Sequence, residues 1–325
     1  MREPRNPFRL RASEDAESNE TFVRLFSPEA LDLLKGSDIW RRPLIIRSAP
    51  GGGKTSLLRL FTPLSLRTIY ALRTREYMKD LFKRLTALEA IGDEGPLVLG
   101  VFLSCAHSFA ILDDLNIEDI KKKRLFLSLL NARIMLATLQ GVLNLKQVEY
   151  PAGLSKVSLP KREILESIPG IKGDLTGISL FNWARDLECA ICNALDSFAP
   201  LSEEKLQGHD SLVALELIGR QPLLFDHNPV ADRVVLLLDD VHKLTAKQRE
   251  WLIDTILTMR PSANVWVAER LEVLNIEKLL SIGVAKGRDY DEVTIEDYWR
   301  GSRTKKFVKL SSSIADRRAR NVRDV

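Results

Sequence analysis

Hydrophobic positions along the chain fall into two kinds of pattern. Short apolar runs bounded by turn residues lie within 43–47, 97–103, 233–238, 263–268 and 292–295. Runs this short and this apolar predict strands of a parallel sheet covered on both faces. Between them, apolar residues recur at helical spacing. Tyr77, Leu81, Leu85 and Leu88 share one face of a helix predicted over 74–91. A long helix is predicted over 116–145, another over 180–198, and one over 244–259 with Thr245 as its cap. Ser27-Pro28 divides residues 21–34 into two short helices, and the helix that begins at Lys54 is expected to stop near Pro63. Residues 146–178, rich in proline and glycine, read as loops with one short helix over 161–167. Further helices are expected over 203–217, 276–282 and 303–320, with a turn at Gly287-Arg288-Asp289.

Strands alternating with helices make this an α/β chain. At 325 residues and 45% apolar it has material for one large domain or two ordinary ones. Asp239 lies 185 residues beyond Lys54, too far for one uninterrupted core, so a mainly helical insertion is expected over 106–230. It divides the core into 41–105 and 231–300, with an arm and short helices over 1–40 in front and a basic helix over 301–325 behind. A formal charge of +4 is slight for this length and gives no general case for nucleic acid or an anionic membrane. The exception is local: 303–320 carries seven basic residues against Asp316. Three cysteines fit a reducing compartment, and Cys189 and Cys192 read as core residues of a helix. No run reaches the ~18 apolar residues of a membrane span, so a cytoplasmic protein without membrane contact is expected.

The chemistry starts at Ser48-Ala49-Pro50-Gly51-Gly52-Gly53-Lys54-Thr55-Ser56, where a predicted strand passes through a glycine-rich turn into a predicted helix. Glycines let backbone N–H groups close around a phosphate, and the helix adds its unpaired N-terminal amides. Lys54 would reach the terminal phosphates, and the Thr55 hydroxyl would hold Mg2+. Ser48 stands where the usual pattern has glycine. Asp239 and Asp240 follow the strand at 233–238, at the carboxyl end where ligands bind in open parallel sheets. A carboxylate there suits the remaining coordination positions of Mg2+. The strand over 263–268 runs on through Glu269 to Arg270, a cation for a γ-phosphate if this strand lies beside the one carrying Asp239.

These residues resemble the AAA+ and STAND branches of P-loop ATPases. Ala49 to Thr55, then the strand with its aspartates, then Gly287-Arg288 ahead of Glu292-Val293-Thr294-Ile295 look like the order in origin-recognition-like AAA+ ATPases of prokaryotes. Asp239-Asp240 and Val267-Ala268-Glu269-Arg270 are similar to STAND switches. The likeness spans roughly residues 20–300. It implies a three-layer P-loop NTPase core with a parallel sheet, a helical insertion between the Walker A and Walker B strands, and ATP with Mg2+ as ligands. By position it implies Ser48 and Pro50 to Ser56 around the nucleotide, Thr55 and Asp239 on the metal, and Asp240 orienting or activating water. Arg270 falls at the γ-phosphate sensor and Arg288 at a finger for a neighbouring subunit, while Arg317 and Arg318 lie where a lid approaches the nucleotide. The implied activity is a slow ATPase that switches conformation or assembly with partner proteins, in a prokaryotic defence or signalling setting. The alternatives are an initiator or loader that binds duplex DNA through 303–320, and a nucleotide-binding scaffold without turnover.

Overall fold

The computed structural model describes residues 18–35, 37–106, 109–160, 175–196, 208–272, 285–300 and 304–323. The strands are β1 (Leu44–Ser48), β2 (Val98–Ser104), β3 (Val157–Ser158), β4 (Leu224–Phe225), β5 (Asn228–Pro229), β6 (Arg233–Asp239), β7 (Asn264–Arg270) and β8 (Asp291–Thr294). The helices are α1 (Asn19–Leu25), α2 (Lys54–Leu60), α3 (Pro63–Ala71), α4 (Lys79–Ala87), α5 (Asp119–Lys146), α6 (Gly177–Asp196), α7 (Val213–Arg220), α8 (Ala246–Met259), α9 (Ile295–Trp299) and α10 (Thr304–Arg323).

Five strands form one sheet in the order β2-β6-β7-β1-β8, and every pairing is parallel. Alternate side chains feed two separate cores. Ile45, Leu236, Leu238, Val265 and Val267 face α5, α6, α7 and α8. Leu44, Ile46, Val235, Leu237 and Trp266 face α1 to α4, α9 and α10. Burial on both faces is the reason the strand sequences read as continuous apolar runs. The order sets β7 between β1 and β6, so the carboxyl ends of all three open on one edge of the sheet.

That edge is fastened by buried charge. Glu269 of β7 is fully buried and receives Arg47 of β1, Nε at 2.8 Å and Nη2 at 2.7 Å. Arg249 of α8 joins it through Nε at 2.7 Å and Nη2 at 3.0 Å, and Glu292 lies 3.5 Å from Arg47 Nη1. Four elements thus meet at the residues next to Ser48 and Arg270.

Several expectations are corrected. Pro63 stops α2 but also opens α3, because its fixed φ and missing N–H suit a first helical position. Between β2 and β6 the chain is mainly helical, yet it also holds the antiparallel sheet β3-β4-β5, whose two-residue strands are too short to show a periodic pattern. Within 203–217 the described helix is α7, which begins at Val213. The buried stripe of α6 runs through Leu180, Trp183, Ala184 and Ile191, which leaves Cys189 exposed and Cys192 half-buried. Residues 1–17, 161–167 and 276–282 lie outside the described residues. Helix α5 is long and apolar enough to cross a membrane, but 78% of that apolar stretch is buried within the protein.

Helix α10 returns to the N-terminal elements. Arg317 is directed inward, donating to the carbonyls of Arg24 (3.0 Å) and Tyr77 (3.3 Å), and the Ser27 and Ser313 hydroxyls meet at 3.1 Å. Burial pulls the Arg317 pKa below the usual arginine value. Arg317→Ala is expected to cost about 2 kcal/mol, as two charge-assisted bonds to carbonyls are lost. Chemical denaturation checks the loss, and faster proteolysis within α10 checks its location.

Candidate functional site

The strand β1 is buried along its whole length and delivers Ser48, itself fully buried, to the turn. Gly51 and Gly53 have φ of +81° and +92°, a region that costs glycine least. Gly52 is needed for space: a Cβ there would fall 2.3 Å from Ser48 Oγ. The serine hydroxyl fills the inside of the loop and donates to Ala49 O at 2.9 Å. Lys54 Nζ closes the turn by donating to Ser48 O (2.9 Å), Ser48 Oγ (2.8 Å) and Ala49 O (3.2 Å). Burial lowers the Lys54 pKa, opposed by the carboxylates of Glu296, Asp239 and Asp240.

Residue register places the other groups. Ser48 pairs with Arg270 across β1 and β7, and β7 lies beside β6, so the condition set for Arg270 is met. Asp239 ends β6 and is buried. Burial raises its pKa, against the Thr55 hydroxyl that hydrogen-bonds it and the Asp240 N–H that donates to its Oδ1 at 2.9 Å. Asp240 takes a left-handed conformation, φ +56°, and turns the chain into a short 3₁₀ segment, Val241–Lys243. Thr55 and Asp239 are hard oxygen donors already in contact. Such a pair fits Mg2+, which takes few protein ligands and keeps most of its water. Among the described residues no group of three His, Cys, Asp or Glu is arranged to hold a metal.

The loop Pro50 to Ser56, Asp240 and Arg270 line one cleft of about 830 Å³, while Ser48 and Asp239, both buried, do not line it. Its polar side is Pro50 to Ser56 with Asp240, His242, Lys243, Arg270 and Arg318. Its apolar side comes from three distant segments: Leu25, Phe26 and Leu33; Ile295 and Trp299; Leu310 and Ile314. A cleft lined both by glycine-loop residues with cations and by apolar side chains suits a ligand with an anionic part and a flat, apolar part. Arg318 is part of this cleft and Arg317 is not. Arg288 lies elsewhere: it pairs with Asp289 at 2.8 Å and lines a separate cavity with Trp40, Pro43 and Asn264, near the amino ends of the strands.

Two residues of the site give no sequence signal. Glu296, in the first turn of α9, accepts the Ala49 N–H at 2.8 Å through Oε1, while its Oε2 is buried without a hydrogen bond among the described residues. His242 lines the cleft. Helix α10 did carry a usable signal, since Leu310 and Ile314 are four apart in an otherwise basic segment and so share one face.

No protein-family model, no curated protein and no solved structure matches the chain.

Proposed function

We propose that this chain is a Mg2+-dependent ATP-binding switch of the P-loop type it resembles, on the AAA+ and STAND side, with slow hydrolysis. The observation that carries this is one cleft lined by the Pro50–Ser56 loop, Arg270 and apolar residues of three other segments, with Thr55 of its lining hydrogen-bonded to the buried Asp239. In this reading the loop amides and Lys54 hold the phosphates, and the apolar wall takes the base. Thr55 and Asp239 hold Mg2+, which supplies charge neutralisation at the phosphates when bound. Asp240 orients water, and its side chain is one carbon shorter than the glutamate of many AAA+ sites, which favours a long-lived ATP state. The wall from α10 is tied to α1 and the segment after it, so filling the cleft bears on both and gives the nucleotide a route to conformation or assembly with partner proteins.

Steady-state ATP hydrolysis at several protein concentrations, beside Asp239→Ala and Arg288→Ala, tests this. Slow turnover lost in Asp239→Ala is the expected result. A rate per subunit that rises with concentration and falls in Arg288→Ala indicates assembly with Arg288 acting in trans. Turnover no greater than that of Asp239→Ala, with ATP still bound, indicates a scaffold.

Glu296 gives a second measurement. Glu296→Gln keeps an acceptor for the Ala49 N–H and removes a negative charge that faces Lys54. ATP affinity is expected to rise about fivefold, from roughly 1 kcal/mol of charge interaction across a partly exposed cleft.

Duplex DNA remains a second reading, because Lys305, Lys306, Lys309 and Arg320 of α10 are exposed. It requires binding that weakens steeply with salt. No retention of duplex DNA at low salt removes it.

A further inference from the structure

His242 stands outside every role assigned so far. Its side chain is only 9% exposed, and both ring nitrogens are buried without a hydrogen bond among the described residues. An unpaired buried polar group costs stability, and a histidine with neither nitrogen satisfied is rare in a folded chain. The ring is in the wall of the cleft. The Asp240 carboxylate Oδ1 is 3.9 Å from Nε2, beyond hydrogen-bond reach. The turn after Asp240 brings the ring here: the left-handed residue follows β6, the Lys243 N–H closes on Asp240 O at 2.8 Å, and His242 lies between them, near enough to Arg270 and Lys54 to feel their charge.

Resting on the ATP reading above, we infer that His242 is a further nucleotide ligand, whose ring turns into the cleft when ATP binds so that its N–H donates to the terminal phosphate and distinguishes ATP from ADP. Burial and the positive charges of Arg270, Lys54 and Lys243 push its pKa down, against Asp240, which leaves the ring neutral with one donor and one acceptor. Between two cations, a neutral donor adds a directed bond to a phosphate oxygen without adding charge. An ADP molecule on the same loop lacks that oxygen. The buried, unsatisfied ring is then a stability cost maintained for ligand recognition, a trade common at functional sites.

The experiment measures dissociation constants for ATP and ADP, both with Mg2+, for the parent, His242→Phe and His242→Gln. Phenylalanine fills the same space and leaves no unpaired nitrogen, so that variant should melt at or above the parent temperature. Its ATP affinity is expected to fall roughly ten- to a hundredfold, the range for a hydrogen bond to a charged group, with ADP affinity unchanged. Glutamine, which restores an N–H donor, should recover part of the preference for ATP. Should the phenylalanine variant fold poorly, His242→Ala carries the same comparison of the two ligands. An unchanged ratio of ATP to ADP affinity in the variants overturns the role of His242 while leaving ATP binding in place. If the parent binds neither nucleotide, the ATP reading itself falls, and this inference with it.

Discussion

Glu269→Ala is expected to destabilise the protein by about 3–5 kcal/mol, the cost of removing one partner from a buried ion pair. The carboxylate is fully buried and takes four close contacts from Arg47 and Arg249, both nearly as buried. Without it, two guanidinium groups lose their shared carboxylate away from water, while Arg47 keeps Glu292 at 3.5 Å. Glu269→Gln preserves the shape and one acceptor, so its loss should be clearly smaller. Urea denaturation checks this: the alanine midpoint falls and the slope stays the same. The function should suffer as well, because Glu269 precedes Arg270 and its partner Arg47 precedes Ser48, so the same cluster holds the cation and the loop in register.

Lys54→Ala is expected to weaken ATP binding by about a hundredfold and bring hydrolysis to background, from the loss of one charge-assisted contact worth up to about 3 kcal/mol. The ammonium rests on three oxygens of its own loop. It can therefore exchange carbonyl and hydroxyl acceptors for phosphate oxygens with little movement of the backbone. Fold stability without ligand should change little, since removing the side chain also removes the cost of keeping it half-buried. Calorimetric titration beside a thermal melt of each protein separates the two effects. A variant that melts like the parent yet binds ATP equally well would contradict the assigned role of Lys54.

The parts of this architecture that could be read in advance are those written in contiguous residues. Val234 to Leu238 is a strand in sequence because both of its faces are buried, and Pro50 to Ser56 is a loop because its glycines, lysine and threonine are adjacent. The same locality gave α8 its cap, where Thr245 and Gln248 exchange side-chain bonds with the backbone. What escaped was assembled from a distance. The apolar side of the cleft joins Leu25 and Phe26 to Leu310 and Ile314, which no local pattern connects. Glu296 and His242 are single polar residues whose meaning depends on the neighbours the fold supplies. In α5, likewise, the meaning of adjacent basic residues depends on distant partners: Lys123 approaches Asp254 at 3.7 Å and Arg124 pairs with Asp210 at 2.7 Å, so their charge is partly spent within the fold. Arg317, which the resemblance set where a lid approaches the nucleotide, is instead a half-buried tie between α10 and the N-terminal elements.

The central claim is that the cleft above Lys54 and Thr55 is an ATP site completed by Mg2+. Calorimetric titration of the parent protein with ATP, with Mg2+ and again with a chelator, tests it most directly. The account predicts one ATP per chain, bound in the micromolar range with Mg2+ and more weakly without it. Absence of binding up to millimolar ATP, with or without Mg2+, would contradict it.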